Sequence, residues 1–144
     1  MRRLLMMSLL VLIFGCKNNS EENTAAISQQ EFPAEVKESI SGGAEIYNNF
    51  CASCHLSGGE GIKGVFPPLK DSDWLQEKRK ESIHAVKFGL RGPIEVNGVA
   101  YDNLMPTLGL SNREIADVMN YINSSWGNTL KEPVTEEEVA AITK

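Results

Sequence analysis

Cys51-Ala52-Ser53-Cys54-His55 is the stretch whose reading decides the fold. The pattern C-x-x-C-H marks covalent attachment of haem. Thiols at this spacing lie on one side of a helical turn, so both reach the vinyl edge of one porphyrin. His55 then points across the macrocycle towards the iron, where neutral imidazole is a good proximal ligand. Competing readings are weaker. Structural zinc takes four ligands, whereas the chain holds three Cys and two His, and one of those Cys sits near the N-terminus. A thioredoxin-like C-x-x-C needs a strand–helix–strand context, and no strand-rich pattern precedes Cys51.

The surrounding chain has the size and balance of one domain with accessories, at 144 residues. Hydrophobic residues make up 42% and charged residues 23%, which places it among soluble globular chains. A net charge of −5 argues against nucleic acid, whose phosphates favour basic partners.

Upstream of the motif, Met1-Arg2-Arg3 is a short basic opening, and Leu4 to Phe14 is an apolar run broken only by Ser8. A bilayer span needs about 20 apolar residues, so this shorter run suits the core of a secretory signal. Ile13-Phe14-Gly15-Cys16 resembles the lipobox of bacterial lipoproteins, although Phe14 is bulky for its position. That resemblance implies a signal peptide over 1–15, lipidation of Cys16 and a membrane-anchored lipoprotein. Ordinary cleavage nearby, with Cys16 a stray thiol, is the alternative. Residues 16–38 are polar and aperiodic, and are expected to form a flexible tether.

A folded domain is expected over 39–131. Ser41 is a candidate helix cap, with Ile46, Tyr47 and Phe50 on one face behind it. Gly43, Tyr47 and Cys51 recur at intervals of four, forming one stripe. Glycine inside a helix costs about 1 kcal/mol against alanine, so another helix is expected to cross closely at Gly43.

From Gly43 to about Trp126 the chain resembles class I cytochromes c in their monohaem form. Four separated motifs in the right order carry the resemblance. The first is Gly43 and Tyr47 ahead of the haem motif, crossing a C-terminal helix through Val118 and Tyr121. Phe66-Pro67-Pro68-Leu69 contains the family's P-x-L spacing, which implies that the Pro67 carbonyl accepts the Nδ1 proton of His55. Asn103-Leu104-Met105-Pro106 implies Met105 as the distal iron ligand. The implied fold is all-α, a cytochrome c-like helical domain around one covalently attached haem c held by Cys51 and Cys54, with a small β-hairpin. Export suits it, since the resemblance implies a haem that bacteria attach outside the cytoplasm.

Other segments refine this picture. Ser57-Gly58-Gly59-Glu60-Gly61 and Gly64 form a glycine-rich loop, expected to let backbone approach the haem edge. Asp71 to Asp73 offer caps for a helix around Trp74 to Lys78, and Glu81 to Phe88 reads as another. Trp74 is a core residue or lies against the haem. Asn97-Gly98 between two short apolar runs is a type I′ hairpin signal. Arg91 is a solvated loop cation or a propionate partner. Ser111-Asn112-Arg113-Glu114 is a capping box, with Gly127 expected just past the helix end. Thr135 followed by three glutamates opens a short helix in a tail over 132–144. His84 is the rival nitrogen ligand and reads as exposed; Met119 is the rival thioether and reads as core.

With His55 and Met105 filling both axial positions, iron has no open site for substrate. The chain shows no nucleophile–base pair, no further metal cluster and no nucleotide loop. The resemblance therefore implies a single-electron carrier and not an enzyme. It would work on the extracytoplasmic, periplasmic side of a bacterium, anchored to the membrane by lipid, as a monomer. Donors would be a quinol-oxidising complex or a dehydrogenase; acceptors would be a terminal oxidase or reductase. The alternative is a haem-based binder or sensor of diatomic gas in which Met105 is displaced.

Overall fold

Helices α1 (Ala34–Ile46) and α5 (Asn112–Ser124) cross, and the other elements are arranged around their contact. The computed structural model describes residues 32–144; the expected signal, Cys16 and most of the expected tether lie outside the described residues. At Gly43 an added Cβ would sit 2.6 Å from the Asp117 carbonyl carbon and 2.8 Å from Tyr121 Cβ. Only glycine lets the two backbones come this close, which is why its helix cost is tolerated. Beside the crossing, Tyr47, Val118 and Ile122 are buried. Tyr121 and Trp126 pack on the Tyr47 ring at 5.5 and 4.9 Å between centroids.

The first helix departs from expectation at both ends. It opens at Ala34, ahead of the expected boundary at 39, and Ser41 lies exposed in its interior instead of capping it. The Pro33 carbonyl accepts from the N–H groups of Val36 and Lys37, and Glu35 in the first turn suits the positive end of the helix dipole. Burial explains the extra length. Ser39 and Ile40 are both covered, and the Ser39 hydroxyl donates to Asp117 while accepting from Asn120 Nδ2. At the other end, Tyr47–Cys51 widens into a π-helical turn, with the Ala52 N–H reaching back to the Tyr47 carbonyl. Helix α2 (Ala52–His55) follows at once.

Helices α3 (Asp73–Glu77) and α4 (Arg79–Phe88) and a hairpin of β1 (Ile94–Val96) and β2 (Val99–Tyr101) complete the far wall. The strands pair antiparallel, Ile94 with Tyr101 and Val96 with Val99. Asn97 and Gly98 both have positive φ, at 51° and 72°, as a type I′ turn requires. Asn97 also ties the hairpin to α3: its N–H donates to Asp73 Oδ1, and its Oδ1 accepts from the Asp73 N–H.

The tail is part of the core. Val134 and Val139 are buried with Ile83, Ile115 and Met119, Val139 lying on α6 (Glu136–Ala141), which Thr135 caps. Asn120 exchanges two buried hydrogen bonds with the Val134 backbone. Arg79 donates to both Glu138 carboxylate oxygens, and Lys87 Nζ donates to the Val139 and Ile142 carbonyls at the helix end. The end of α5 also differs from expectation. The helix stops at Ser124, and Trp126, not Gly127 alone, turns through positive φ at 54°. Packing on Tyr47 and Tyr121 holds the indole there, while the Ile122 carbonyl accepts from Asn128 Nδ2 and the Ser125 N–H.

Candidate functional site

The motif residues sit where α1 gives way to α2. The π-helical turn inserts an i→i+5 step that ends on the first thiol; Cys51 faces the core and Cys54 is half-buried. Both are free thiols. Burial pushes the Cys51 thiol up to about 11, with Cys54 adding to the rise, so Cys51 stays neutral. Conversion to a thioether leaves nothing there to ionise, which suits a site that disfavours charge.

His55 follows at the end of α2. Its Nδ1 lies 2.9 Å from the Pro67 carbonyl. A carbonyl can only accept, so Nδ1 carries the proton and Nε2 keeps its lone pair free for a metal. Burial lowers the affinity of the ring for a second proton, and the Pro67 bond partly opposes that. The Pro67 carbonyl is itself held from behind. A Cβ on Gly61, at φ 63°, would meet the Pro67 carbonyl carbon at 2.7 Å. The glycine-rich loop thus works differently from expectation: Gly59 packs on the Trp126 ring and Gly61 on Pro67, and neither lines the cleft. The Tyr47 hydroxyl donates to the Leu56 carbonyl at 2.6 Å, fixing the chain as it leaves α2. Burial, reinforced by Cys51, raises the Tyr47 phenol well above its ordinary value, so it remains a donor.

Facing this wall is the segment after α4. Leu90 and Met105 exchange backbone hydrogen bonds of 2.9 and 3.0 Å. Thr107 Oγ1 donates to the Phe88 carbonyl at 2.8 Å. Gly89, at φ 80°, allows the approach; a Cβ there would lie 2.7 Å from the Met105 carbonyl oxygen. Between the walls run two adjoining clefts of about 930 and 570 Å³ of empty space, partly open to solvent. Cys51, His55, Pro67, Leu90, Ile94 and Met105 line both, so they form one slot. Cys54 lines the larger half, beside Phe50, Tyr101 and Leu104.

The structure thus brings Cys51, Cys54, His55, Pro67 and Met105 together. His84 lines an outer groove with Trp74 and Glu138, and not the slot. Met119 is buried in the core beneath. Trp74 reaches the smaller half of the slot and carries Lys78 Nζ over its ring at 4.6 Å. Phe50, Tyr101, Gly61 and Gly89 were not singled out by sequence for these places. In the sequence the hints are the aromatic Phe50 directly ahead of Cys51 and the position of Tyr101 beside a turn signal; in the structure Phe50 is 45% accessible. Haem c fits this setting: two uncrosslinked thiols, a neutral imidazole with one nitrogen free, a methionine and apolar walls line one slot.

The family model described as cytochrome c matches residues 40–126. A cytochrome c-552 of Thermus thermophilus is 41% identical over 106 residues, covering 67% of this chain and 80% of its own. The cytochrome c subunit of a gluconate 2-dehydrogenase from Pantoea cypripedii is 34% identical over 109 residues, covering 71% of this chain and 24% of the subunit. A subunit of a cbb3-type cytochrome c oxidase from Rhodobacter capsulatus is 34% identical over 84 residues, 56% of this chain and 28% of its own.

Proposed function

The chain belongs to the cytochrome c family and binds haem c covalently, and on that premise we propose that it carries single electrons between extracytoplasmic respiratory proteins and is not itself an enzyme. Haem c, when bound, supplies an iron that alternates between ferric and ferrous states. Cys51 and Cys54 hold the ring through thioethers. Pro67 fixes the His55 tautomer, which would leave Nε2 free to hold the iron and make it more basic. Met105 supplies a soft, neutral thioether, which favours reduced iron and raises the potential. Apolar walls exclude water and penalise net charge in the slot, which acts in the same direction.

The observation that carries this reading is that His55 and Met105, from two separate segments, line both halves of one slot with Cys51, while Cys54 lines its larger half. With both axial places filled by protein, substrate has no place to bind. Met105→Ala in the haem-loaded protein is expected to lose the methionine-to-iron absorption and lower the reduction potential. An unchanged spectrum and potential overturns the distal assignment. Rapid carbon monoxide binding by the reduced wild-type protein overturns the carrier in favour of a gas binder.

The reading extends to place and partners. Residues 1–15 act as a lipoprotein signal and Cys16 is lipidated, with a tether from 16 to the start of α1, so that a monomeric head works at the membrane surface. The dehydrogenase and oxidase subunits among the relatives support a quinol-oxidising complex or dehydrogenase as donor and a terminal oxidase or reductase as acceptor. Net charge −5 suits a basic patch on such a partner. Cys16→Ala is expected to move the cytochrome from the membrane fraction to the soluble one; retention on the membrane overturns the lipid anchor.

A further inference from the structure

The two walls of the slot come from separate stretches, the loop at 57–69 and the segment at 90–108. Among the described residues, a single hydrogen bond joins those stretches directly: Asn103 Nδ2 donates to the Val65 carbonyl at 2.9 Å. Both residues line the mouth of the larger half of the slot. Val65 is held in a tight turn, in which Ile62 accepts from Val65 and Phe66 and donates to Phe66, all at 2.8 Å. Its carbonyl is therefore a fixed anchor. On the other side, Asn103 stands just ahead of Met105, whose backbone Leu90 pins from behind. The loop carrying Met105 is thus tied to the end of α4 through Leu90 and Thr107, and across the mouth through Asn103.

We propose that the Asn103 amide is a positioning residue, a strap across the mouth of the slot that sets how often the Met105 loop swings away and admits outside molecules to the iron. The proposal rests on Met105 being the distal ligand. Both ends of the strap are solvent-exposed, so water competes for the bond and opening needs no wider unfolding. The Leu90 pair governs where Met105 returns; the strap governs how long it stays. Neither role touches the thioethers or His55, so the resting low-spin state should survive loss of the strap.

The test measures imidazole association with the oxidised, haem-loaded protein by stopped flow, beside the visible spectrum of the resting state. Asn103→Asp keeps the size but its carboxylate cannot donate, and it faces the carbonyl lone pairs. Loss of one neutral hydrogen bond is expected to speed imidazole binding about fivefold, with the resting spectrum unchanged. Asn103→Gln, which retains the donor on a longer arm, should fall between wild type and Asn103→Asp. Equal rates in wild type and Asn103→Asp, while Met105→Ala binds imidazole at once, overturn the strap and leave the ligand assignment standing. A Gln variant as fast as the Asp variant also overturns it. Should Met105→Ala match wild type in both spectrum and imidazole rate, the distal assignment fails and the strap falls with it.

Discussion

Two adjacent glycines in α1 should respond to alanine in opposite directions. At Gly43 an added Cβ falls 2.8 Å from Tyr121 Cβ and 2.6 Å from the Asp117 carbonyl carbon, against ordinary carbon contacts of about 3.5–4.0 Å. The obstacle is α5 backbone, which cannot rotate aside, so α1 must retreat by about 1 Å and thin its contacts along the crossing. Such overpacking costs about 3 kcal/mol, the upper end of the usual range, and the better helix propensity of alanine returns about 1 kcal/mol. Gly43→Ala should therefore destabilise by about 2 kcal/mol. One position earlier, a Cβ on Gly42 meets only Asp117 Oδ2, at 3.9 Å, an ordinary contact. Gly42→Ala should stabilise by up to about 1 kcal/mol from propensity alone. The assay is guanidinium unfolding of the haem-loaded variants followed by far-ultraviolet circular dichroism, with equal slopes. Variants that differ by less than about 1 kcal/mol, or a Gly43→Ala midpoint at or above wild type, would refute the close crossing as the reason for glycine here.

Three further outcomes follow from named contacts. Tyr47→Phe removes the hydroxyl that donates to Leu56 and should cost about 1–2 kcal/mol in the same unfolding assay; a neutral result would mean that water replaces the bond. Val139→Ala on α6 empties space in a fully buried position and should cost about 2 kcal/mol, whereas a tail that merely rests on the surface would show almost none. The hydrogen bond from Arg79 holds the Glu138 carboxyl below its ordinary value of 4.5. That contribution is present above about pH 4.5 and is lost as pH falls through the lower folded value. Thermal melts should therefore show a steeper acid loss for wild type than for Glu138→Gln, and parallel curves would exclude the linkage. The pair is partly exposed, so the effect is small.

Sequence made the local chemistry legible because it is written in short spacings. C-x-x-C-H, the Asn97-Gly98 turn, the Ser111–Glu114 box and the Thr135 cap each depend on residues within a few positions of one another. Glycine at Gly43 was readable for a different reason: its cost within a helix demanded an outside cause. What stayed hidden depends on distant partners. The start of α1 at Ala34 goes with the burial of Ile40 and with Ser39 bonding to Asp117 and Asn120 of α5, which no local cap announces. Trp126 takes a left-handed backbone because Tyr47, Tyr121 and Gly59 enclose its ring. The π-helical turn at Tyr47–Cys51 has no short-range signature, since weak helix formers such as these do not distinguish a π-helical from an α-helical turn. The burial of the tail is not written locally, because its burying partners, Ile83, Ile115 and Met119, belong to α4 and α5.

The two residues proposed as axial ligands share an organisation that a search for side-chain motifs overlooks. Each is governed through a main-chain carbonyl, and each carbonyl is backed by a glycine at positive φ. Gly61 abuts the Pro67 carbonyl that orients His55, and Gly89 abuts the Met105 carbonyl that Leu90 holds. A carbonyl has no side chain to vary, so its position is set by what presses on it; a methyl at either glycine would push it from its place. In the reading given above, the geometry at the iron is therefore encoded partly by missing side chains. Gly61→Ala should disturb the His55 side and Gly89→Ala the Met105 side. The two variants would then separate in their spectra, the first changing the imidazole hydrogen bond and the second the methionine absorption, even though neither glycine lines the slot. If both variants instead lost only stability, with the two spectral features untouched, the carbonyls would be scaffold and the ligands would owe their placement to packing alone.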